Sequence, residues 1–246
     1  MGGNVFKTKE GQELTQRINQ VDVLPTVQWL ESITGLPLVD NMLGTTGKNP
    51  TSGDLDLAVD EKKTSKEEIF KRLSNWCTTN NLDSRDFVRK SGVSVHFKTP
   101  IKGNPKLGFV QSDFMLGDPD WQKFAMQGGA PNSPYKGASK HVLMASIAKA
   151  HGLKWSFNQG LTSRTTGNVV SKDPDEIARY LLGPDANRTD LSTVETILEK
   201  IKGKPDYNAL VSDARETFAK SDLTLPESVQ EGTSTWFRNM TNLFSE

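Results

Sequence analysis

The sequence predicts an α+β fold in which helices flank a mixed sheet, followed by a smaller subdomain. In the first half, segments with apolar residues at alternate positions are mixed with segments whose apolar residues recur every three or four positions. The run "GGAPNSP" interrupts both patterns and predicts a subdomain boundary. We expect a polar N-terminal arm over 1–22, a first domain over 23–127, a small α/β subdomain over 135–203 and a helical tail over 204–246.

The amino-acid composition argues against several classes of protein and several kinds of metal site. The 246 residues carry 30 Lys or Arg against 30 Asp or Glu, so there is no overall basic field for binding nucleic acid. There is no apolar run of membrane-spanning length and no signal-peptide core, and we expect a cytoplasmic protein without a membrane partner. One cysteine, Cys77, and three histidines make a disulfide or a zinc site unexpected, so any metal should be bound by oxygen.

The N-terminal region predicts an arm, a helix and a strand. Residues 1–22 are polar and lack apolar periodicity, which indicates a loosely packed arm. A helix from about Pro25 to Ser32 has apolar residues on one face and ends at Gly35. The segment "LPLVDNML" is predicted to be a short strand.

A second strand and a capped helix follow. The segment "GDLDLAVD" alternates, which places Leu55 and Leu57 on one face and Asp54 and Asp56 on the other. Ser65 begins a capping box for a helix that runs to about residue 80. Two further strands are "SGVSVHFKT", with Val93, Val95 and Phe97 pointing inward, and "LGFVQSDFML", which ends at Gly117.

The second half is mainly helical. "YKGASKHVLMASIAKAHG" predicts a helix, and "LKWSFNQGL" and "GNVVS" predict a paired hairpin. Three more helices are indicated, one capped by Asp173, one boxed by Ser192 and Glu195, and one from about Asp206 to Ser221. The apolar side chains of the C-terminal stretch, from Trp236 to Phe244, are expected to dock on the core.

The stretch "LGTTGKNPTSGDLDLAVD" carries the strongest chemical signal. It does not fit a Walker P-loop, because Met42 stands where a glycine is needed and Asn49 follows Lys48. It does not fit a calcium-binding EF-hand either, because apolar Leu57 and Ala58 follow Asp56. What remains is a pair of carboxylates on one strand face, preceded by a glycine turn.

Paired carboxylates can share hard divalent cations, although they can also simply decorate a solvated sheet face. A third carboxylate, Asp113, lies among apolar neighbours, where a charge is costly unless it is paired or coordinated. Three carboxylates on adjacent strands could hold two divalent ions about 4 Å apart, as in phosphoryl-transfer chemistry.

The same residues resemble the nucleotidyltransferase signature of the DNA polymerase beta superfamily, in which Gly-Ser precedes a Ser-Gly-Asp-apolar-Asp segment by about ten residues. "TSGDLDLAV" is closest to the family X polymerases. The segments "YKGASKHVLMASIAKAHGLKWSFNQGL" and "DPDEIARYLLG" are also similar to that family, so the likeness covers about Leu36 to Gly183. The resemblance implies a palm-like mixed sheet, a thumb-like subdomain and a helical tail.

The resemblance also implies roles for individual residues. Asp54, Asp56 and Asp113 would be the catalytic carboxylates and would ligate two Mg²⁺ or Mn²⁺ ions. The residues implied to lie near the nucleoside triphosphate are Gly44, Thr45, Lys48, Ser52, Gly53, Tyr135 and Gly137.

Some positions depart from the family. Thr45 replaces the usual serine, the spacing from Gly44 to Asp54 is one residue short, and Gln111 stands where basic residues are common. The stretch before residue 36 has no room for helix-hairpin-helix modules, which argues against templated repair synthesis.

The resemblance implies transfer of a nucleotide from a nucleoside triphosphate to an acceptor hydroxyl, for which we expect a nucleic-acid 3′ end. The alternatives are a protein or small-molecule acceptor, or an idle fold that serves as a binding or assembly component. His96 and His151 could be catalytic, but a lone histidine on a strand or at a helix end is more often structural.

Overall fold

A computed structural model describes residues 4–130, 132–223, 226 and 229 of the chain. The chain divides into two compact units, Met1–Gln127 and Gly128–Glu246. The first unit has a mixed four-stranded sheet with flanking helices, which confirms the predicted α+β class. No helix in the described part of the chain is long and apolar enough to cross a lipid bilayer.

The first unit is built around one sheet. Its strands are β1 Ile18–Asn19, β2 Thr51–Ser52, β3 Asp54–Asp60, β4 Val88–Ser91, β5 Ser94–Pro100 and β6 Phe109–Gly117, and its helices are α1 Gln20–Thr34, α2 Lys66–Thr79, α3 Ser84–Phe87 and α4 Pro119–Ala125. The main sheet has the order β3-β6-β5-β4, in which only β3 and β6 are parallel, while β1 and β2 pair separately.

One face of the main sheet forms the core. Leu55 and Leu57 of β3 lie on the same face as Phe114 of β6 and Phe97 of β5, and all four are fully buried. Helices α1 and α2 cover this face with buried apolar side chains, including Val27, Leu30, Ile69 and Leu73. Because side chains alternate along a strand, the opposite face carries the polar residues.

The N-terminal segment packs more closely than the sequence predicts. Phe6 is only 2% exposed, and the guanidinium of Arg89 lies 5.9 Å from its ring centroid. The Leu14 N–H donates to the Phe6 carbonyl and the Gln16 N–H donates to the Phe109 carbonyl. A single aromatic residue in a polar stretch produces no periodicity, so this packing leaves no pattern in the sequence.

Two strand predictions in the first unit are corrected. The segment 36–43 forms a 3₁₀ turn at Val39–Asn41, because Glu31 Oε1 accepts hydrogen bonds from the N–H groups of Leu38 and Val39, both at 2.7 Å. Val93 does not point inward. It lies at the tip of the β4–β5 hairpin and is 62% exposed.

The helices and strands of the second unit are α5 Gly137–Ala150, β7 Leu153–Ser156, β8 Gly160–Ser163, β9 Val169–Ser171, α6 Pro174–Leu182, α7 Val194–Ile201 and α8 Tyr207–Ala219. The predicted hairpin is a three-stranded antiparallel sheet of order β7-β8-β9. Thr193 and Thr196, and not Ser192 and Glu195, form the capping box of α7.

Helix α8 packs against α5, where Ser146 Oγ donates to the Leu210 carbonyl. The predicted docking of Trp236 to Phe244 lies outside the described residues.

Replacing Phe6 with alanine should lower the free energy of unfolding of the first unit by about 3 kcal/mol, because a buried ring is lost and a cavity remains. Val93→Ala, at an exposed site, should change it by less than about 0.5 kcal/mol. Denaturant titration followed by tryptophan fluorescence measures both. Equal effects of the two substitutions would show that the N-terminal segment is not part of the core.

Candidate metal centre

Three carboxylates meet on the polar face of the main sheet. Strands β3 and β6 run in parallel with Asp56 beside Asp113 and Asp54 beside Gln111. Alternation along β3 places Asp54 and Asp56 on the face opposite Leu55 and Leu57. One oxygen from each of Asp54, Asp56 and Asp113 lies within 4.8 Å of the others, and the three residues are half-buried. The structure thus brings together the three carboxylates that the sequence singles out.

The negative charges of the three carboxylates repel one another. Burial, followed by the charges of Asp54 and Asp113, raises the pKa of Asp56 from 3.8 to about 7. Burial and the charge of Asp113 raise the pKa of Asp54. Ionising all three groups is therefore costly without a cation. Carboxylate oxygens in this arrangement suit hard divalent ions such as Mg²⁺ or Mn²⁺, so the cluster could hold a metal ion.

The glycine turn is hydrogen-bonded to Asp56 through the backbone. The Leu43 N–H donates to the Asp56 carbonyl at 2.8 Å, and the Asp56 N–H donates to Thr46 Oγ1 at 3.1 Å. Gly44 and Gly47 have φ angles of 60° and 73°, a conformation that favours glycine. The turn therefore has a fixed position relative to Asp56. Thr46, whose hydroxyl oxygen accepts the second of these two hydrogen bonds, is a residue that the sequence prediction missed.

The turn also leaves polar groups available for a ligand. Within the described residues, the N–H groups of Gly44 and Thr45 donate to no protein acceptor. The side chains of Thr45 and Lys48 are exposed. Backbone N–H groups that lack a protein acceptor, close to a lysine, form an environment that suits phosphate oxygens.

Arg17 is a second missed residue at the same end of the site. Its Nε donates to Thr51 Oγ1 at 3.0 Å and its Nη2 donates to the Thr51 carbonyl at 3.1 Å. A Cβ at Gly53 would lie only 3.1 Å from Arg17 Nη1, so the arginine passes directly over this glycine. Ser52 beside it is buried and pairs with Ile18. Arg17 thus places a positive charge next to Asp54.

Asp113 is hydrogen-bonded on two sides. Its Oδ1 lies 2.7 Å from His96 Nδ1, and His96 Nε2 lies 2.8 Å from Ser91 Oγ. Gln111 Nε2 donates to Asp113 Oδ1 at 3.0 Å and to Oδ2 at 3.2 Å. Gln111 Oε1 accepts a hydrogen bond from the Val5 N–H at 2.8 Å. His96 therefore contacts a site carboxylate directly, a role that the sequence does not indicate.

A pocket of about 310 Å³ lies at the C-terminal ends of β3 and β6. Its lining includes Val59 and Asp60 from β3 and Asp118 and Pro119 from the segment after β6. Asp60 follows Asp56 by four residues, or about 13 Å along the strand. The pocket is a separate feature of the first unit, and none of the three clustered carboxylates lines it.

The remaining two predicted site residues belong to the second unit. Tyr135 is half-buried and its N–H donates to Ser133 Oγ, while Gly137 is the first residue of α5. No protein-family model matches the chain, and no curated protein sequence matches it.

The stability of the metal-free protein should fall as the pH rises from about 5 to about 8. The pKa of Asp56 is higher in the folded protein, at about 7, than its ordinary value of 3.8, so the folded state holds an extra proton between these values. The stabilisation from this proton is complete below about pH 4 and is lost as the pH rises through about 7. Mg²⁺ should restore stability at pH 8 and have a smaller effect at pH 5.5, because protons compete for the ligands.

Thermal denaturation at both pH values, with and without Mg²⁺, measures these shifts. The Tm of Asp56→Asn should fall less with rising pH than the Tm of the wild-type protein, by several degrees. The rise in Tm caused by magnesium should also be several degrees smaller in this variant. Asp60→Asn, on the same strand but outside the cluster, is the matched control. An equal magnesium effect in Asp56→Asn and the wild-type protein would contradict metal binding at this cluster.

Proposed function

We propose that the first unit is a metal-dependent nucleotidyltransferase, which moves a nucleoside monophosphate from a nucleoside triphosphate to an acceptor hydroxyl. The observation that carries the proposal is the cluster of Asp54, Asp56 and Asp113 next to a glycine turn that is hydrogen-bonded to Asp56. The resemblance of "LGTTGKNPTSGDLDLAVD" to the polymerase beta superfamily supports the same chemistry.

Each part of the site has a task in this proposal. Asp54, Asp56 and Asp113 would hold divalent ions, which when bound supply the positive charge that activates the acceptor hydroxyl and neutralises the departing pyrophosphate. The N–H groups of Gly44 and Thr45 bind the terminal phosphates. In the reaction, a bond forms between the acceptor oxygen and the α-phosphorus, and the bond from that phosphorus to the bridging oxygen of pyrophosphate breaks.

Two cations complete the triphosphate site in this proposal. Lys48 is exposed in the glycine turn, and Arg17 passes over Gly53 beside Asp54. Their charges would offset part of the negative charge of the triphosphate and fix its direction relative to the carboxylates. Catalysis in such a site depends mainly on positioning and charge neutralisation. Substitutions in the site should therefore reduce the reaction rate much more than the stability of the protein.

The charge distribution favours a nucleic acid as the acceptor. Residues 121–172 contain no Asp or Glu, although the whole chain has equal numbers of acidic and basic residues. The same stretch contains seven basic residues: Lys123, Lys136, Lys140, Lys149, Lys154, Arg164 and Lys172. Lys154 is exposed on β7, and Arg164 is exposed directly after β8 of the same three-stranded sheet. Lys140 is buried and Lys149 pairs with Asp213, but exposed cations in a stretch without carboxylates are typical of a surface that binds a phosphate backbone.

Incubation with each labelled nucleoside triphosphate, Mg²⁺ or Mn²⁺, and separate DNA, RNA and protein acceptors tests the activity. Asp113→Asn and Asp56→Asn should lower the transfer rate by roughly a thousandfold, because a metal ligand is lost, and should still fold. Asp60→Asn should retain the wild-type rate. Undiminished transfer by Asp113→Asn would exclude this mechanism, and labelling of a protein acceptor alone would replace the nucleic acid with a protein substrate.

The double variant Lys154→Glu and Arg164→Glu should weaken binding of a labelled oligonucleotide at low salt. The slope of log affinity against log salt concentration should become shallower by about two, one for each lost phosphate contact. The double variant Lys200→Glu and Lys202→Glu is a control that changes the net charge by the same amount. Its two lysines already pair with Asp190 and Glu199, so we expect them to make no phosphate contacts. Identical binding curves for the two double variants would reject the second unit's sheet as the nucleic-acid surface.

A further inference from the structure

We infer that His96 and Gln111 are positioning residues that hold the carboxylate of Asp113 in its metal-binding orientation. Through Gln111, this role extends to the N-terminal segment 4–17, which becomes a part of the metal centre. The inference rests on the proposed function, since it takes Asp113 as a metal ligand. It adds to the site two side chains and a backbone N–H group that lie outside the motif "LGTTGKNPTSGDLDLAVD".

His96 holds Asp113 from the neighbouring strand. The antiparallel pairing of β5 and β6 sets His96 directly opposite Asp113, and the imidazole is almost fully buried. An ionised carboxylate can only accept hydrogen bonds, so Nδ1 must carry the hydrogen in the 2.7 Å contact. In the neutral ring Nε2 is then an acceptor, and Ser91 Oγ donates to it. The carboxylate of Asp113 thus determines that Nδ1 is the donor, and the hydroxyl of Ser91, which can donate or accept, is compatible with that arrangement.

Gln111 holds Asp113 along the same strand. It lies two residues before Asp113, on the same face of β6, and is 3% exposed. Its amide nitrogen donates to both carboxylate oxygens. Its amide oxygen accepts from the Val5 N–H, and a reversed amide would place two acceptors against each other at Asp113. The Val5 N–H therefore selects the orientation in which Gln111 donates.

The N-terminal segment supplies this N–H from a packed position. Phe6, the next residue, is buried, and its carbonyl accepts from the Leu14 N–H. Val5 is therefore anchored by the packing of its neighbour. The fold thus links the packing of Phe6 to the orientation of Asp113 through the hydrogen bond between Val5 and Gln111, which lie 106 residues apart in sequence.

The arrangement leaves one oxygen of Asp113 more available than the other. Among the residues that the structure describes, Oδ1 accepts from both His96 and Gln111, whereas Oδ2 accepts only from Gln111, at the longer distance. The amide of Gln111 orients the carboxylate without adding a positive charge that would oppose a cation. Hydrogen-bond partners of this kind typically contribute a factor of 10 to 100 to metal affinity or activity.

Mn²⁺ titration followed by electron paramagnetic resonance tests the inference on the full chain. His96→Leu and Gln111→Leu should each weaken Mn²⁺ binding roughly tenfold or more. His96→Asn should restore most of the affinity, because its side-chain amide can donate from the position of Nδ1, whereas His96→Gln should not. Ser112→Ala is the matched control, since it removes a buried hydrogen bond to Thr99 between the same two strands on the opposite face.

Val5→Pro tests the contribution of the N-terminal segment, because it removes the N–H group from which Gln111 accepts a hydrogen bond, whereas Val5→Ala retains that group. Proline should weaken Mn²⁺ binding several-fold and alanine should not. Long-range proton–nitrogen spectra of the metal-free protein should show His96 as the Nδ1–H tautomer.

Mn²⁺ affinities of His96→Leu and Gln111→Leu equal to that of Ser112→Ala would overturn the inference, as would an Nε2–H tautomer of His96. Equal affinities of Val5→Pro and Val5→Ala would overturn the role of the N-terminal segment. If the wild-type protein binds Mn²⁺ but transfers no nucleotide, the proposed function fails while these affinities still decide the inference. If the wild-type protein does not bind Mn²⁺, both fail.

Discussion

Repulsion between three half-buried carboxylates is the constraint on which the rest of the first unit depends. The parallel pairing of β3 and β6 sets Asp56 beside Asp113, and neighbouring strands lie only about 4.8 Å apart. The pair cannot separate by slipping, because a shift of one residue would carry Leu55 and Leu57 out of the core. The apolar face thus holds the charges together on the polar face. Protons or cations are the remaining ways to relieve the repulsion, and burial together with the charges of Asp54 and Asp113 raises the pKa of Asp56 to about 7.

The groups around the cluster restrict its geometry from several directions. On the outer edge of β3, the glycine turn is hydrogen-bonded to both backbone groups of Asp56. On the opposite side of β6, His96 reaches Asp113 from β5. Carboxylates held in this way have little freedom to turn away from one another. A site arranged before the ligand arrives avoids part of the ordering cost of binding.

The sequence predicts the local features of the site and not those that depend on distant pairing. Asp54 and Asp56 are visible because alternation along one strand shows their common face, and Asp113 is visible because its neighbours are apolar. His96 and Gln111 act through the strand order and through Val5, whose separation of 106 residues from Gln111 leaves no local pattern. The predicted strand over 36–43 is wrong for a related reason, because the carboxylate of Glu31, in the preceding helix, takes the N–H groups of Leu38 and Val39.

The cost of the cluster bears on the choice between an enzyme and an idle fold. Many single substitutions that remove an unfavourable charge raise stability, and they accumulate readily where no function opposes them. Replacing Asp56 with a neutral residue of similar size would remove a carboxyl group whose pKa is raised by burial and by the charges of Asp54 and Asp113. A chain without a use for a cation would have no reason to retain three such groups together with buried side chains that orient one of them. The arrangement around Asp113 therefore favours a protein that binds a cation at this site over one that only keeps the fold.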